Sequence, residues 1–456
     1  MNKVTLPLLL ALVLLGNGLR SVISSTVFVS EGTFASFLKI SISQTSAIIE
    51  LLLGAVLLSL LVSPWMIARF SLRSLTTVMC LIASGAAFGL AAMFWTAPPV
   101  ATREALVLVL FPLIGFSLAS MAPVAQLITG WGGDRHSKLL TGVWAVSMPA
   151  AFLITPQLVR IIAPRYGLEF FFAGFAAAPL LLIGAIWMVR EPAKTVRTDA
   201  TAPSLLALLP AIMTLIVFEL MTLLVTISGI SSTLTQGMAV LFVIALVYLV
   251  YRQKAQGSAR LAGSATIRIF GFLFLVNIAT TGFYDTAYLV LHMCSNTLIA
   301  DRATLGALAQ VFAAMGTTAL LARYQFQRTL MVLGAVILAI GLGSYMLYLP
   351  SYMIYFDFPI YEVYIGSKAI TGFGTGLLTT AAIFAVSKST AQGAGLSLFI
   401  AFVIIIGTEV GLELFEIFVQ LADLVQIQSD ITYSMIFTAQ FVLVLIAIPF
   451  VISKER

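Results

Sequence analysis

The sequence predicts an all-α polytopic membrane protein of 14 transmembrane helices: two six-helix bundles in parallel repeat plus an inserted helix pair. Three observations lead there. The 456-residue chain is 61% hydrophobic and 9% charged, whereas a soluble domain carries about 25% charged residues. Its apolar residues gather into long segments divided by charged or Pro/Gly-rich breaks. A basic loop also recurs at the same place in each half of the chain.

The apolar segments cover 4–28, 44–68, 74–95, 105–129, 139–163, 170–189, 204–227, 233–251, 267–293, 304–322, 329–349, 362–386, 394–420 and 433–452. A spanning helix needs about 20 residues, and nearly every segment reaches that length. The opening run resembles a signal peptide, but no small-residue cleavage site follows it and many spans do, so it is read as the first helix.

An even number of spans puts both termini on one side. With the N-terminus inside, the inner loops and ends hold seventeen Lys and Arg, among them Arg69, Arg73, Arg190, Arg252, Arg323 and Arg328. The outer side holds five: Lys39, Arg103, Arg160, Arg165 and Arg302. This asymmetry sets the orientation. It predicts a multi-pass protein of the cytoplasmic (inner) membrane with cytoplasmic N- and C-termini. It also accounts for the net charge of +6 without a nucleic-acid partner.

The repeat is visible in two inner loops. Ala68-Arg69-Phe70-Ser71-Leu72-Arg73 follows helix 2, and Ala322-Arg323-Tyr324-Gln325-Phe326-Gln327-Arg328 follows helix 10. Each joins the second and third helices of a six-helix set, as in transporters built from parallel halves. The expected domains are therefore 1–195, an N-terminal bundle; 196–262, the inserted pair with its linkers; and 263–456, a C-terminal bundle.

This layout resembles the major facilitator superfamily, and within it the 14-helix drug:proton antiporters. That family carries a Gly-x-x-x-Asp-Arg-x-Gly-Arg-Arg-like motif between helices 2 and 3. Here Pro64, Ala68 and Ser71 replace the first Gly, the Asp and the second Gly, while Arg69 and Arg73 remain. The family's helix-4 Arg-x-x-Gln-Gly reads Phe111-Pro112-Leu113-Ile114-Gly115, and the equivalent run in the second half is Lys368-Ala369-Ile370-Thr371-Gly372. The antiporter Gly-Pro of helix 5 is reduced to Thr155-Pro156. The resemblance implies alternating access by two rocking halves, with Arg69, Arg73, Arg323 and Arg328 in the gating loops.

Charges inside the spans carry the functional reading, because a charge in lipid is costly and faces protein or water. Glu409, Glu413 and Glu416 lie on one face of a single helix. Glu50, Glu219 and Asp285 raise the membrane acids to six, against two membrane cations, Arg20 and Lys368. Clustered carboxyl groups at low dielectric cannot all ionise, so one can hold a proton in one state and release it in another. Glu409, nearest the middle of its helix, is the first candidate for proton coupling, followed by Asp285, Glu413 and Glu50.

Arg20, Asn17, Lys368, Tyr284, Tyr288, Glu416 and Gln126 are candidates for substrate binding. An Arg20–Glu50 pair and a pairing of Lys368 with Asp285, Glu409 or Glu413 fit the common depth of these groups. Such pairs can equally serve only to lock helices together. Glu219 falls in the inserted pair, His136 in an inner loop and His292 near an outer helix end.

Cys80 and Cys294 give neither a disulfide framework nor a metal spacing. No phosphate-cradling loop, metal cluster or nucleophile–base set is present, so the chain is read as no enzyme, without cofactor or metal. The expected partners are a small-molecule substrate, protons and the lipid bilayer, with a monomer as the working unit.

The first reading is a proton-coupled secondary transporter exporting small amphipathic or cationic compounds. The alternative is the same fold carrying an anionic metabolite or siderophore-like chelate held by Arg20 and Lys368. A channel or non-transporting scaffold is a third possibility.

Overall fold

The structure is a computed structural model and describes residues 5–39, 42–189, 208–210, 212–213, 215–217, 264–280, 296–348, 360–390 and 399–452. Glu50, Glu413 and Glu416 ride on described helices, but their side chains lie outside the described set. Asp285, Tyr284, Tyr288, Glu219 and His292 lie outside the described residues altogether.

The described secondary structure is helical throughout. Lipid offers no partner for backbone N–H and C=O groups, so each apolar segment closes its hydrogen bonds within itself. The first half holds α1 (Thr5–Val29), α2 (Glu31–Leu38), α3 (Ile42–Arg69), α4 (Leu72–Thr96), α5 (Val100–Ala119), α6 (Met121–Thr129), α7 (Gly133–Tyr166) and α8 (Leu168–Met188). The second holds α9 (Ser264–Ala279), α10 (Asn296–Arg323), α11 (Gln327–Ser344), α12 (Ile360–Thr390), α13 (Ile400–Leu424) and α14 (Ser429–Ile452).

Ten described stretches are long and apolar enough to cross a membrane, with α5 and α6 counting as one span over Val100–Gly132. Shorter apolar helices at Leu208–Val217, Ala265–Ala279 and Ile400–Leu412 match three more of the predicted segments. The remaining one, 233–251, lies outside the described residues.

The chain differs from the sequence reading at several helix ends. α2 occupies what reads as a plain outer loop. Arg103 holds it down: its Nη1 donates to the Phe37 carbonyl at 2.6 Å, and its guanidinium lies 4.4 Å from the centre of the Phe37 ring. α7 begins at Gly133, so half-buried His136 sits in its first turn rather than in a loop. α10 begins at Asn296, two turns before the predicted start, so Arg302 belongs to the helix and not to an outer loop.

The helices divide into two compact units: Met1–Leu261 with Gly393–Ala401, and Ala262–Gln392 with Phe402–Arg456. In the first unit α1 packs on α7, flanked by α6 and α8; α3 packs on α5; and α4 packs on both α8 and α5. In the second unit α10 and α11 pack on α12, and α14 packs on α9 and α11. α13 meets α9 at Gly407, where an added Cβ would lie 2.9 Å from the Phe274 carbonyl oxygen.

With α5–α6 taken as the fourth helix of its set, the same pairs recur in both units: first with fifth, second with fourth, third with fourth, and third with sixth. This is the parallel repeat at the level of packing.

Candidate functional site

Asn17 and Arg20 lie one turn apart on α1 and are 3% and 4% exposed. Ser21 and Ser24 continue the same helical stripe and are also buried. The second half of α1 is buried nearly all round, so its polar stripe faces protein.

The stripe is tied to α7. Asn17 Nδ2 donates to the Trp144 carbonyl at 2.9 Å and to Ser147 Oγ at 2.8 Å. Ser147 Oγ donates in turn to the Trp144 carbonyl at 2.7 Å. The Trp144 indole donates to the Ala122 carbonyl on α6 at 3.0 Å. Close helix approach makes these bonds possible. Gly18 lets the Ser147 backbone come within 3.5 Å of where a Cβ would stand, and Gly16 lets the Met121 carbonyl oxygen come within 3.5 Å and the Ala125 methyl within 3.0 Å.

Arg20 has a poor partner. Its Nη2 donates to the Met148 thioether sulfur at 3.3 Å, a weak acceptor. Its Nη1 and the Asn17 Oδ1 are buried without a hydrogen-bond partner. Glu50, the acid expected opposite Arg20, has its side chain outside the described set. Gln126 is buried on α6 at 4% exposure, and its backbone carbonyl accepts from Thr129 Oγ1 at 2.7 Å.

In the second unit Lys368 and Glu409 are half-buried on α12 and α13. Lys368 runs beside α10 at Gly306, where an added Cβ would lie 2.8 Å from the lysine Cγ. A turn further along α12, Thr371 Oγ1 donates to the Lys368 carbonyl at 2.9 Å and shares a 3.1 Å hydrogen bond with the Tyr345 hydroxyl.

Arg302 joins this cluster and is a residue the sequence reading misplaced. It is 1% exposed, donates from Nε to the Tyr364 carbonyl at 2.8 Å, and lies 5.4 Å from the centre of the Tyr345 ring. The Asn296-Thr297 helix-start signal, six residues upstream, was the clue to its place.

The four loop arginines divide. Arg69, Arg323 and Arg328 are exposed, at or near helix ends. Arg73 is half-buried and donates from Nη2 to the Val189 carbonyl at 2.7 Å, just past the end of α8. Its guanidinium lies 5.4 Å from the Trp187 ring, whose indole donates to Thr77 Oγ1 at 3.0 Å. A cation at a helix C-terminus offsets the negative end of the dipole and satisfies a free carbonyl. Among the described residues, no group of three His, Cys, Asp or Glu is placed to hold a metal ion.

Apolar spans of membrane length, internal repetition and buried charge define an α-helical polytopic membrane protein. Its fold is that of the major facilitator superfamily. The structure of the proton:xylose symporter XylE bound to 6-bromo-6-deoxy-D-glucose matches 97% of this chain and 94% of its own, with a TM-score of 0.64 and 13% identity. A double-tryptophan variant of XylE matches 99% and 96%, with a TM-score of 0.64 and 14% identity. No protein-family model matches the chain, and no curated protein matches it in sequence.

Proposed function

We propose that the chain is a proton-coupled secondary transporter of a small molecule, working by alternating access in the cytoplasmic membrane with both termini inside. Support comes from the major facilitator fold, which the chain shares with a proton symporter over nearly its full length. Rocking of two parallel halves around a central site is the way such folds move substrate. Glu409, half-buried on α13, is the proposed proton carrier, with Asp285, Glu413 and Glu50 as further coupling candidates.

Two substrate classes remain in play, and each has an observation behind it. Export of amphipathic or cationic compounds, the antiporter reading, is favoured by the acidic stripe Glu409, Glu413 and Glu416. Carriage of an anionic compound is favoured by Arg20, a buried guanidinium whose one described acceptor is a thioether. An uncompensated buried cation is costly, and an anionic substrate would offset that cost. The anionic class is therefore the better supported of the two.

The test uses purified protein in liposomes loaded with a pH-reporting dye, under an imposed proton gradient. Lipophilic cations and anionic chelates are added to wild type and to Glu409→Gln. Compound-triggered proton flux that the variant loses is the expected result. Anion-triggered flux selects the anionic substrate, and cation-triggered flux selects efflux. Compound movement with no proton flux removes proton coupling from the reading.

A further inference from the structure

We propose that Asn17 and Arg20 form a subsite for a small molecule bearing a carboxylate, or a similar oxyanion, next to a hydrogen-bond donor, as in a hydroxy acid or an amino acid. The proposal deepens the transport reading, on which it rests for the substrate being a small molecule.

The Asn17 amide can be oriented without ambiguity. The Trp144 carbonyl can only accept, so the amide end 2.9 Å from it must be the NH2 group. The Ser147 hydroxyl accepts from the same nitrogen and passes its own proton to the Trp144 carbonyl, so it does not compete. Asn17 Oδ1 is left as a buried acceptor with no donor.

Arg20, whose Cα follows one turn along α1, about 4.5 Å of axial rise, leaves Nη1 as a buried donor with no acceptor. Ser24 Oγ donates to the Arg20 carbonyl at 3.2 Å and is no partner of Nη1.

A buried unpaired donor and a buried unpaired acceptor are each costly, and here the donor also carries charge. Water can fill both hydrogen bonds but brings no negative charge. A carboxylate meets Nη1 in a charge-assisted hydrogen bond. A hydroxyl or ammonium on the neighbouring carbon then meets Oδ1. The pairing of donor and acceptor selects such a ligand over a plain carboxylate, because the plain carboxylate leaves Oδ1 buried and unpaired.

The test measures thermal unfolding of the full-length protein in detergent with a fixed panel. Malate, lactate, glutamate and alanine carry both groups. Succinate, propionate and glutarate lack the donor, and tetraphenylphosphonium stands for the cations. At least one hydroxy or amino acid is expected to raise the unfolding midpoint. Its counterpart without the donor should bind about tenfold more weakly or worse.

Asn17→Leu should erase that difference while carboxylate binding persists. Arg20→Gln should abolish binding, and Arg20→Lys should weaken it. Monodisperse elution of each variant confirms that it is folded, and Arg20→Lys covers the case in which Arg20→Gln is not. Four outcomes overturn the subsite: only the cation binds; paired acids bind equally; Asn17→Leu changes no selectivity; or no member of the panel shifts the midpoint. Binding here needs no proton gradient. Flux in liposomes without binding would remove the subsite and keep the transporter, whereas binding without flux would do the reverse.

Discussion

Arg302 carries the largest fully buried side chain among the described residues. Its Nε–H bond to the Tyr364 carbonyl and its place by the Tyr345 ring join α10, α12 and the turn after α11. Hydrogen bonds to a charged group contribute about 1.5–3 kcal/mol each, and a cation over an aromatic ring adds about 0.5–2. Arg302→Leu is therefore expected to lower stability by about 2–4 kcal/mol, read as a fall in the unfolding midpoint. Arg302→Lys should recover less than half of that loss, because an ammonium cannot present the planar Nε–H to the same carbonyl. A midpoint unchanged in Arg302→Leu would show that the bond adds nothing net. Single residues were unevenly legible in the sequence. Arg20 and Asn17 stood out because a charged or amide side chain inside an apolar span faces protein or water rather than lipid. Arg302 did not, because a helix that runs past its apolar stretch has no hydropathy signal at its end. The weak thioether partner of Arg20 was invisible, since it arises from a residue 128 positions away.

At the level of elements, α12 packs closely on α10 and α11. Gly372 rests on the Gly306 backbone of α10, and a Cβ on Gly374 would lie 2.6 Å from the Leu338 amide nitrogen of α11. Both neighbours are backbone, so they cannot yield by a rotamer change. Overpacking of this kind costs about 1–3 kcal/mol. Gly374→Ala should accordingly reduce the yield of folded protein and lower its unfolding midpoint. Gly366, on the same helix, has nothing within 4 Å of its Cβ position, and Gly366→Ala should be neutral. Equal effects of the two substitutions would mean that helix propensity, not packing, decides. The Gly372-x-Gly374-x-Gly376 spacing of α12 is visible in the sequence, and small residues allow helices to approach closely. What they approach is not visible there, because the partners come from α10 and α11. The short helix α2 also escaped notice: eight residues are too few to show a periodicity, and its clamp, Arg103, comes from another helix.

For the molecule as a whole, the sequence-level repeat of two basic loops corresponds to a repeat of packing. The helix pairs of the first unit recur in the second although the sequences share only loop fragments. Fold class was legible because bilayer thickness sets span length, and the Lys/Arg bias adds an expected direction. Both constraints act on composition, not on particular contacts. The same reasoning makes a topological prediction. The loop after α3 and the loop after α10 occupy equivalent places in the two halves, and Phe70 and Tyr324 in them are exposed. Both loops should therefore lie on the cytoplasmic face. In a Cys294→Ser background, where Cys80 is buried, Phe70→Cys and Tyr324→Cys should resist a membrane-impermeant maleimide added to intact cells. Both should react with it in inverted vesicles. Labelling of either site in intact cells would overturn the orientation. Labelling of only one of them would break the parallel relation between the halves, since an even number of spans must separate equivalent loops that face the same side.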